Sequence, residues 1–497
     1  MRRRFLTALG VTGWLLGQPS TLALHQVPIY GARDGDAPVL VSNADGQSPY
    51  TGIGRYLGRA SCTAVFITPF RDGEDAGAAP AYALTNGHCP DFPGSNQVLL
   101  NQPPGRGQVT FNYFADTTRG QLVVPVTRSS YVSMKGQDIA VLELALRHDQ
   151  LRARGIEPWP ITDVRSDVSE PIAVVGAPGS SFLRLAACRL DGEAPLVLEY
   201  VWHWYGFLRN TCAGIAPGSS GSPAISRRTG KVIGLLNTTT NGGRAQYTEC
   251  LLDHPCEPTV GAESGRVETT YITPLLGIDA CFVAGRFDVR GAGCSLDPGD
   301  QVTLSPQFLG RANPRLDTVP VGRPVRSWNV IVSGPFDFYR YKVARVGADD
   351  CRDPRGYTPP RAVAQRPLID DALPEPEGWW FLCVVGSRSR GEAQSPAYPT
   401  VVGVRVDSVR PRVEAPLVIE DGGQAWRVTF QTYDPEVSLY VFKFGRPADT
   451  RCEDGSGYRL ALVPFIALPK SGRPYTFCAI PYDGAQNPGR LIETLLP

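Results

Sequence analysis

Residues 218–223 read Gly-Ser-Ser-Gly-Ser-Pro, and the remainder of the sequence can be interpreted outward from this stretch. Runs of small residues also form flexible linkers, because they make loops at little steric cost. Here, however, two apolar runs follow at 224–225 and 232–236, and the turn residues 227–230 lie between them. Apolar runs joined in this way predict a buried β-hairpin, so the stretch belongs to a folded core rather than to a linker.

Two segments upstream carry the partners that a nucleophilic serine requires. His88 stands in Thr-Asn-Gly-His-Cys at 85–89, after a strand-like run, and Asp138 opens an apolar run over 138–144. A serine hydroxyl is a poor nucleophile until a base takes its proton. We therefore identify Ser220 as the candidate nucleophile and His88 as its base. Asp138 would orient the imidazole and stabilise its protonated form.

The glycines of the stretch have a separate predicted role. A tight turn at 218–220 can direct successive backbone N–H groups into one hole, and a side chain at Gly218 would crowd that hole. We expect the N–H groups of Gly218 and Ser220 to bind the oxyanion that forms during acyl transfer.

The chain resembles the trypsin-like (chymotrypsin-fold) serine proteases, and within them the secreted bacterial lysyl and glutamyl endopeptidases. The matching motifs lie in residues 61–66, 84–89, 138–142 and 217–223, and the triad residues follow in the family's order. The resemblance covers roughly residues 50–280. It implies two β-barrels with the active site between them, an acyl-enzyme mechanism and a disulfide between Cys62 and Cys89.

Two positions depart from the best-known members of that family. Ser219 stands where the animal digestive enzymes carry an aspartate that receives the freed N-terminus, so we do not expect that zymogen switch. Gly214 lies six residues before the nucleophile, where enzymes selective for arginine or lysine carry a carboxylate. The candidate pocket residues Gly214, Ile215, Leu236 and Asn237 are uncharged, which favours an uncharged side chain before the scissile bond.

Glu268 leaves an alternative open for the substrate pocket. It is either a strand charge that faces solvent, as glutamates commonly do, or a carboxylate that reaches the pocket and selects lysine or arginine.

Short apolar segments separated by glycine and proline predict an all-β fold. We assign residues 61–297 to a chymotrypsin-like double β-barrel that forms the protease domain. The predicted strands include 62–68, 81–85, 108–114, 121–126, 140–144, 172–176 and 197–202, with a closing strand at 266–276.

An internal repeat follows the protease domain. An aromatic-lysine segment at 339–342 precedes Cys351 as a similar segment at 440–443 precedes Cys452, and the two copies lie about 100 residues apart, too far for a solenoid unit. We predict two immunoglobulin-like or fibronectin-like β-sandwiches, over 300–405 and 406–497. We expect this tail to bind a surface or a large substrate and to be dispensable for hydrolysis of short peptides.

The N-terminus predicts export. Residues 1–23 combine a basic start, a short apolar run and a small-residue cleavage site, which is typical of a signal peptide. The arginines at 2–4 leave open whether export uses the general or the twin-arginine route. Residues 24–60 would be a loosely structured N-terminal arm or a pro-segment. We therefore expect a secreted or periplasmic protein.

Twelve cysteines suit an exported chain, because disulfides persist outside the cytosol. Their spacing suggests six local pairs, although sequence does not fix connectivity. No Cys-x-x-Cys spacing occurs, so neither a metal site nor another cofactor is predicted. The suggested pairs are Cys62–Cys89, Cys188–Cys212, Cys250–Cys256, Cys281–Cys294, Cys351–Cys383 and Cys452–Cys478.

Composition excludes some partners. The formal net charge is +1, which gives no electrostatic basis for binding nucleic acid or an anionic membrane. We expect a monomeric serine endopeptidase that acts on protein or peptide substrates and has no membrane span. The alternative is a catalytically weak or inactive protein on a protease fold that serves as an extracellular binding or adhesion module.

Overall fold

A computed structural model describes residues 27–69, 78–103, 105–179, 181–240, 250–260, 262–264, 266–390, 397–412, 417–431, 436–472 and 474–497. The predicted signal peptide at 1–23 lies outside these residues. Strands make up 45% of the structure and helices 4%, so the all-β prediction is confirmed. Within the described chain, no helix is long and apolar enough to cross a membrane.

The first β-barrel is a closed ring of six antiparallel strands. The ring order is β7-β6-β2-β3-β4-β8, and β8 pairs back with β7. Alternate side chains point inward and form an apolar core that includes Phe66, Phe111 and Leu142. The elements are β1 (Val39–Leu40, outside the ring), β2 (Ile53–Leu57), β3 (Ser61–Phe66), β4 (Pro80–Thr85), β5 (Val98–Gln102, beside β7), β6 (Gln108–Phe111), β7 (Leu122–Ser133), β8 (Ile139–Arg147) and helix α1 (His148–Arg152).

The second β-barrel is also a closed ring of six strands, in the order β9-β10-β11-β16-β13-β12. Its β12–β13 hairpin is the one predicted after the serine-glycine stretch, with the turn at 227–230. The elements are β9 (Pro171–Gly176), β10 (Arg184–Glu199), β11 (Trp202–Asn210), β12 (Pro223–Ser226), β13 (Val232–Thr239), the hairpin β14 (Glu257–Thr259) and β15 (Ala262–Ser264), and β16 (Thr270–Pro274).

The barrels begin earlier in the chain than predicted. Residues 53–57, assigned above to the N-terminal arm, form β2 of the first barrel, and β1 pairs with β10 of the second. This strand is hard to recognise in the sequence because it contains Gly54, and glycine weakens a strand pattern. The structure needs it: a Cβ at Gly54 would lie 2.4 Å from the carbonyl oxygen of Thr110.

Two other strand predictions were wrong because a turn interrupts an apolar run. The chain reverses at Tyr200, which has a φ of 54°, so the segment predicted at 197–202 is the tip of the β10–β11 hairpin. The predicted closing strand at 266–276 is shorter, since residues 267–268 form a turn and Glu268 has a φ of 50°.

Beyond the barrels, the tail forms two domains, each with two sheets around its own apolar core. The first domain has sheets β19-β21-β24 and β20-β26-β25-β22-β23, with a core around Trp328 and Tyr339. The second has sheets β27-β28-β31 and β30-β29-β32-β33, with a core around Phe430 and Phe442. The likeness to immunoglobulin or fibronectin domains stays a prediction.

The strands of this region follow in chain order. They are β17 (Phe282–Val283), β18 (Arg286–Phe287), β19 (Thr303–Ser305), β20 (Phe308–Ala312), β21 (Val330–Ser333), β22 (Phe338–Arg345), β23 (Arg361–Ala362), β24 (Leu368–Ile369), β25 (Gly378–Ser387), β26 (Thr400–Val406), β27 (Leu417–Asp421), β28 (Ala425–Phe430), β29 (Leu439–Gly445), β30 (Arg459–Leu460), β31 (Phe465–Pro469), β32 (Tyr475–Tyr482) and β33 (Ile492–Leu496).

The two tail domains repeat the same local cluster. In each, a lysine on a long strand donates hydrogen bonds to carbonyl groups of the loop around the first cysteine, and a tyrosine hydroxyl donates to that cysteine's carbonyl oxygen at 2.7 Å. The residues are Lys342, Cys351 and Tyr357 in the first domain and Lys443, Cys452 and Tyr458 in the second. Shared contacts support the internal repeat.

All six disulfides suggested by the spacing are present, and no cysteine is free. Each closes a short loop, with a sequence separation of at most 32 between its partners. In the chain-entropy model, a loop of about 30 residues stabilises a domain by roughly 3 kcal/mol through the unfolded state.

The first tail domain packs against the second barrel through a common apolar core. The barrel contributes Leu198 and the Cys250–Cys256 disulfide, and the tail contributes Trp379 and Phe381 among others. Leu198 and Cys256 exchange both backbone hydrogen bonds, at 2.9 Å each. The first tail domain is therefore part of the same packed body as the protease domain.

Polar contacts reinforce this interface. Asn96 of the first barrel exchanges two hydrogen bonds of 2.8 Å with the backbone of Val401. Lys135 forms an ion pair with Asp297 at 2.7 Å, both side chains being 3% exposed, and it donates to the carbonyl oxygen of Tyr398. Buried charges need partners of this kind, so Lys135 depends on the tail for part of its hydrogen bonding.

Because the interface is apolar, we expect loss of the tail to destabilise the barrels. A chain of residues 24–299 should unfold roughly 5–10 °C below a chain of residues 24–410, since it exposes Leu198 and strips Lys135 of partners. The 24–410 chain keeps the first tail domain and serves as the control. Scanning calorimetry measures the difference, and equal melting temperatures would contradict it.

Candidate active site

His88 and Asp138 form the centre of the site. His88 follows β4 and Asp138 precedes β8, and these strands pair with Thr85 opposite Ala140, so the two side chains meet. The Nδ1 of His88 lies 2.7 Å from Oδ2 of Asp138, whose side chain is fully buried. The backbone N–H of His88 donates to the other carboxylate oxygen at 3.1 Å. Both oxygens of Asp138 are therefore directed at one residue.

The Thr-Asn-Gly segment before the histidine fits this arrangement. The side-chain amide of Asn86 donates to the carbonyl oxygen of Asp138 at 3.1 Å. A Cβ at Gly87 would lie 2.1 Å from the carbonyl oxygen of Ser133 and 3.0 Å from Oδ1 of Asp138. Any other residue at 87 would therefore clash with the backbone of Ser133 and crowd the carboxylate that His88 requires.

The environment shifts the pKa of His88 in two directions. Burial lowers the pKa of His88, but the charge and the hydrogen bond of Asp138 raise it, and the carboxylates of Glu199 and Asp253 add to the rise. The net pKa of His88 is raised above 6.5. The imidazolium form is thus stabilised, which suits a group that must accept a proton.

The loop that carries Ser220 is held between the two barrels. The N–H of Thr63 on β3 donates to the carbonyl oxygen of Ser220, and the N–H of Gly221 donates to that of Leu236 on β13, both at 2.8 Å. The hydroxyl of Ser220 donates to the carbonyl oxygen of Asn237 at 3.5 Å. Among the described residues, the hydroxyl of Ser220 therefore bonds to this carbonyl and not to the imidazole of His88. The side chains of Ser220 and His88 nevertheless line the same cleft.

Backbone geometry explains the glycines around the serine. Gly218 has a φ of 97°, and a Cβ there would lie 2.8 Å from the carbonyl oxygen of Ala177. The N–H groups of Gly218 and Ser220 find no acceptor among the residues that the structure describes. Two unpaired N–H donors on one short loop, two residues apart, can bind an anionic oxygen.

The predicted pocket residues all line one open cleft of about 1070 Å³. Gly214 illustrates how the cleft is built: its φ is 69°, and a Cβ would lie 2.2 Å from Cγ of Pro38. Because Pro38 fills that space, this position cannot carry the carboxylate found in arginine-selective and lysine-selective relatives. The other predicted pocket residues on the cleft are Ile215, Leu236, Asn237 and Glu268.

The position of Glu268 fits parts of both alternatives, and selection of lysine or arginine by this residue stays a prediction. It is exposed, yet it also lines the cleft, and it stands in a turn rather than in a strand.

Two acidic residues at the site escaped the sequence analysis. Glu199 ends β10 and is only 6% exposed, and its Oε1 accepts the backbone N–H of Asp253 at 2.9 Å. Burial raises the pKa of Glu199 from 4.5 to about 7. Asp253 lies in the cleft. Neither residue belongs to a sequence motif. Both act on His88 only in the folded chain.

A metal site near the histidine can be assessed directly. Ligand atoms of Cys62, His88 and Cys89 lie within 4.8 Å of one another. The two sulfurs, however, are joined in a disulfide, with an S–S distance of 2.08 Å. Thiolates are what bind zinc, and a disulfide offers none, so this cluster does not fit a metal.

Comparison with protein families identifies the class of this domain. Residues 62–235 match the family described as the trypsin-like peptidase domain. This part of the chain therefore matches a trypsin-like peptidase domain, as the motifs predicted. The closer likeness to lysyl and glutamyl endopeptidases stays a prediction. No curated protein matches the chain.

Solved structures provide distant likenesses to the fold. The active form of the Rv3671c protease from M. tuberculosis aligns at 15% identity and a TM-score of 0.30, covering 59% of this chain and 96% of that one. The MamO protease domain from Magnetospirillum magneticum aligns at 14% and 0.29, covering 46% and 95%. Human heparin binding protein aligns at 13% and 0.29, covering 49% and 91%. Likenesses this distant say nothing of substrate or mechanism.

The raised pKa of Glu199 has a consequence for stability. The folded state holds the proton of Glu199 up to about pH 7, whereas the unfolded state releases it near 4.5. This group therefore stabilises the fold fully below pH 4.5, and the contribution is lost as pH rises to about 7. We expect Glu199→Gln to remove this pH-dependent loss of stability. At pH 8 its free energy of unfolding should exceed that of the wild type by up to about 3 kcal/mol.

Chemical denaturation at pH 5 and pH 8 measures this effect. The difference between Glu199→Gln and wild type should shrink at pH 5. Glu157→Gln changes an exposed glutamate in the same way and serves as the control. A wild-type advantage at pH 8 would contradict the expectation.

Proposed function

We propose that this protein is a serine endopeptidase that hydrolyses peptide bonds through Ser220, His88 and Asp138. One observation carries the proposal: a fully buried carboxylate lies 2.7 Å from the imidazole of His88, which lines the same cleft as Ser220 within a trypsin-like peptidase domain. Such a constellation of nucleophile, base and orienting acid is the requirement for acyl transfer.

The steps follow from the groups in the cleft. Ser220 leaves the carbonyl of Asn237, passes its proton to Nε2 of His88 and attacks the substrate carbonyl. The N–H groups of Gly218 and Ser220 bind the oxyanion of the tetrahedral intermediate. The imidazolium then protonates the leaving amine, and an acyl ester remains on Ser220. Water, deprotonated by His88, hydrolyses the ester and frees the enzyme.

Export is part of the same proposal. Six disulfides suit an oxidising compartment, and residues 1–23 have the composition of a signal peptide.

The alternative is a binding module without catalysis. Adhesion through the tail would need neither a fully buried carboxylate directed at His88 nor two free N–H groups beside Ser220. A buried carboxylate is destabilising unless it has partners, so its presence beside His88 favours catalysis over the alternative.

Replacement of the nucleophile tests the proposal. We expect Ser220→Ala to lower peptide hydrolysis by on the order of a millionfold, because the acyl ester can no longer form. Ser333→Ala removes an exposed hydroxyl on β21 of the tail and should leave hydrolysis unchanged. A fluorophosphonate probe followed by peptide mapping should label Ser220, and labelling at Ser219 or Ser222 would refute the assignment.

The role of Asp138 predicts a pH effect. Asp138 raises the pKa of His88, so Asp138→Asn should lower that pKa and move the acidic limb of the kcat/KM profile to lower pH. The maximal rate should fall by about ten-thousandfold, as it does when this acid is lost from a related triad. A profile with an unmoved acidic limb would show that Asp138 does not act through His88.

A further inference from the structure

The cleft carries a one-sided distribution of charge. Among the described residues that line it, Asp253 and Glu268 are acidic, His88 is the proposed base, and none is lysine or arginine. A cleft lined by charge of one sign attracts groups of the opposite sign. Its wall therefore favours a substrate with a cationic group near the bond to be cut.

Asp253 is the better fixed of the two carboxylates. It lies within the loop closed by the Cys250–Cys256 disulfide, and its backbone has a φ of 58°. Its N–H donates to the buried Glu199 at 2.9 Å, while its side chain is exposed to the cleft. In the described part of the chain no cation forms an ion pair with this carboxylate. The main chain of Asp253 is thus fixed by the disulfide loop and by Glu199, and its carboxylate can bind a cation in the cleft.

The first tail domain contributes to this rigidity. Cys256 exchanges both backbone hydrogen bonds with Leu198, the residue next to Glu199. The disulfide itself packs in the apolar core that includes Trp379 and Phe381 of the tail. A charge on a preorganised loop binds with little loss of conformational entropy.

We propose that Asp253 is a specificity-determining residue that binds a lysine or arginine side chain of the substrate beside the scissile bond. The inference rests on the proposed peptidase function, of which it names the substrate class. It replaces the preference for uncharged side chains that the sequence favoured. Pro38 leaves no room for a carboxylate at Gly214. The disulfide loop supplies one instead, on Asp253. Asp253 lines the same cleft as His88 and Ser220, and its charge contributes to the raised pKa of His88.

Binding to a full-length Ser220→Ala chain tests the proposal without hydrolysis. Two peptides are compared that are identical except that one carries lysine where the other carries norleucine. The two side chains match in length and differ in charge. Calorimetric titration measures the affinity of each peptide. We expect the lysine peptide to bind about fivefold more tightly at low salt, since a partly exposed ion pair contributes about 1 kcal/mol. Introducing Asp253→Asn into the Ser220→Ala chain should abolish this difference in affinity. Salt at 1 M should reduce the difference by screening the ion pair.

Two further variants sharpen the result. Asp163→Asn removes an exposed acid outside the cleft and should keep the preference for lysine. Glu268→Gln should keep most of it. Equal affinity for the two peptides, absence of binding, or a preference that survives Asp253→Asn and vanishes in Glu268→Gln would each overturn the proposal. Because nothing is hydrolysed, these outcomes are independent of the activity assay on which the peptidase proposal depends.

The support from the tail has its own variants. In the same Ser220→Ala chain, Phe381→Ala should lower the preference for lysine, and Phe381→Leu, which keeps apolar volume, should retain it. Retention in both would show that Asp253 is positioned without the tail. Asp253 would then act alone, and that part of the inference would be wrong.

Discussion

Thr63 connects the two barrels at the point where the nucleophile loop must be held. Its N–H donates to the carbonyl oxygen of Ser220, and its hydroxyl donates to that of Gly218 at 3.1 Å. The same hydroxyl accepts the N–H of Ala177, and its carbonyl oxygen accepts the hydroxyl of Thr85. One fully buried residue therefore makes four hydrogen bonds, and the three with Ser220, Gly218 and Ala177 cross the barrel interface. Because an unpaired group here would be destabilising, the loop conformation and the barrel docking stabilise each other.

The sequence was sufficient wherever the information is local. The motifs around His88, Asp138 and Ser220 identified the fold class, because their backbone requirements leave little choice of residue: Gly87 and Gly218 cannot carry a Cβ. The disulfide pairs were predictable for the same reason, since each closes between neighbouring cysteines. The boundary of the first barrel was not, since Gly54 interrupts the strand pattern that its packing against Thr110 requires.

What the sequence could not reveal depends on contacts between distant segments. Glu199 and Asp253 come together only after a hairpin tip and a disulfide loop have folded onto one another. The docked tail escaped prediction because Trp379 and Phe381 read as ordinary sandwich core, whereas they cover the barrel. The second tail domain has Pro474 and Thr476 at the matching distance from its cysteine, Cys478. The repeat therefore preserves its internal cluster, while the apolar docking face belongs to the first copy.

The order of the disulfides also has a bearing on how the chain reaches its folded state. The cysteines pair in chain order, the first with the second, the third with the fourth and so on, and no loop encloses or crosses another. A chain that is oxidised as it leaves an export channel would meet each correct partner before the following cysteine appeared. Native connectivity then needs no reshuffling, which is slow compared with formation of the strands. For a chain exported unfolded, the order in which its cysteines emerge would therefore match the order in which they pair.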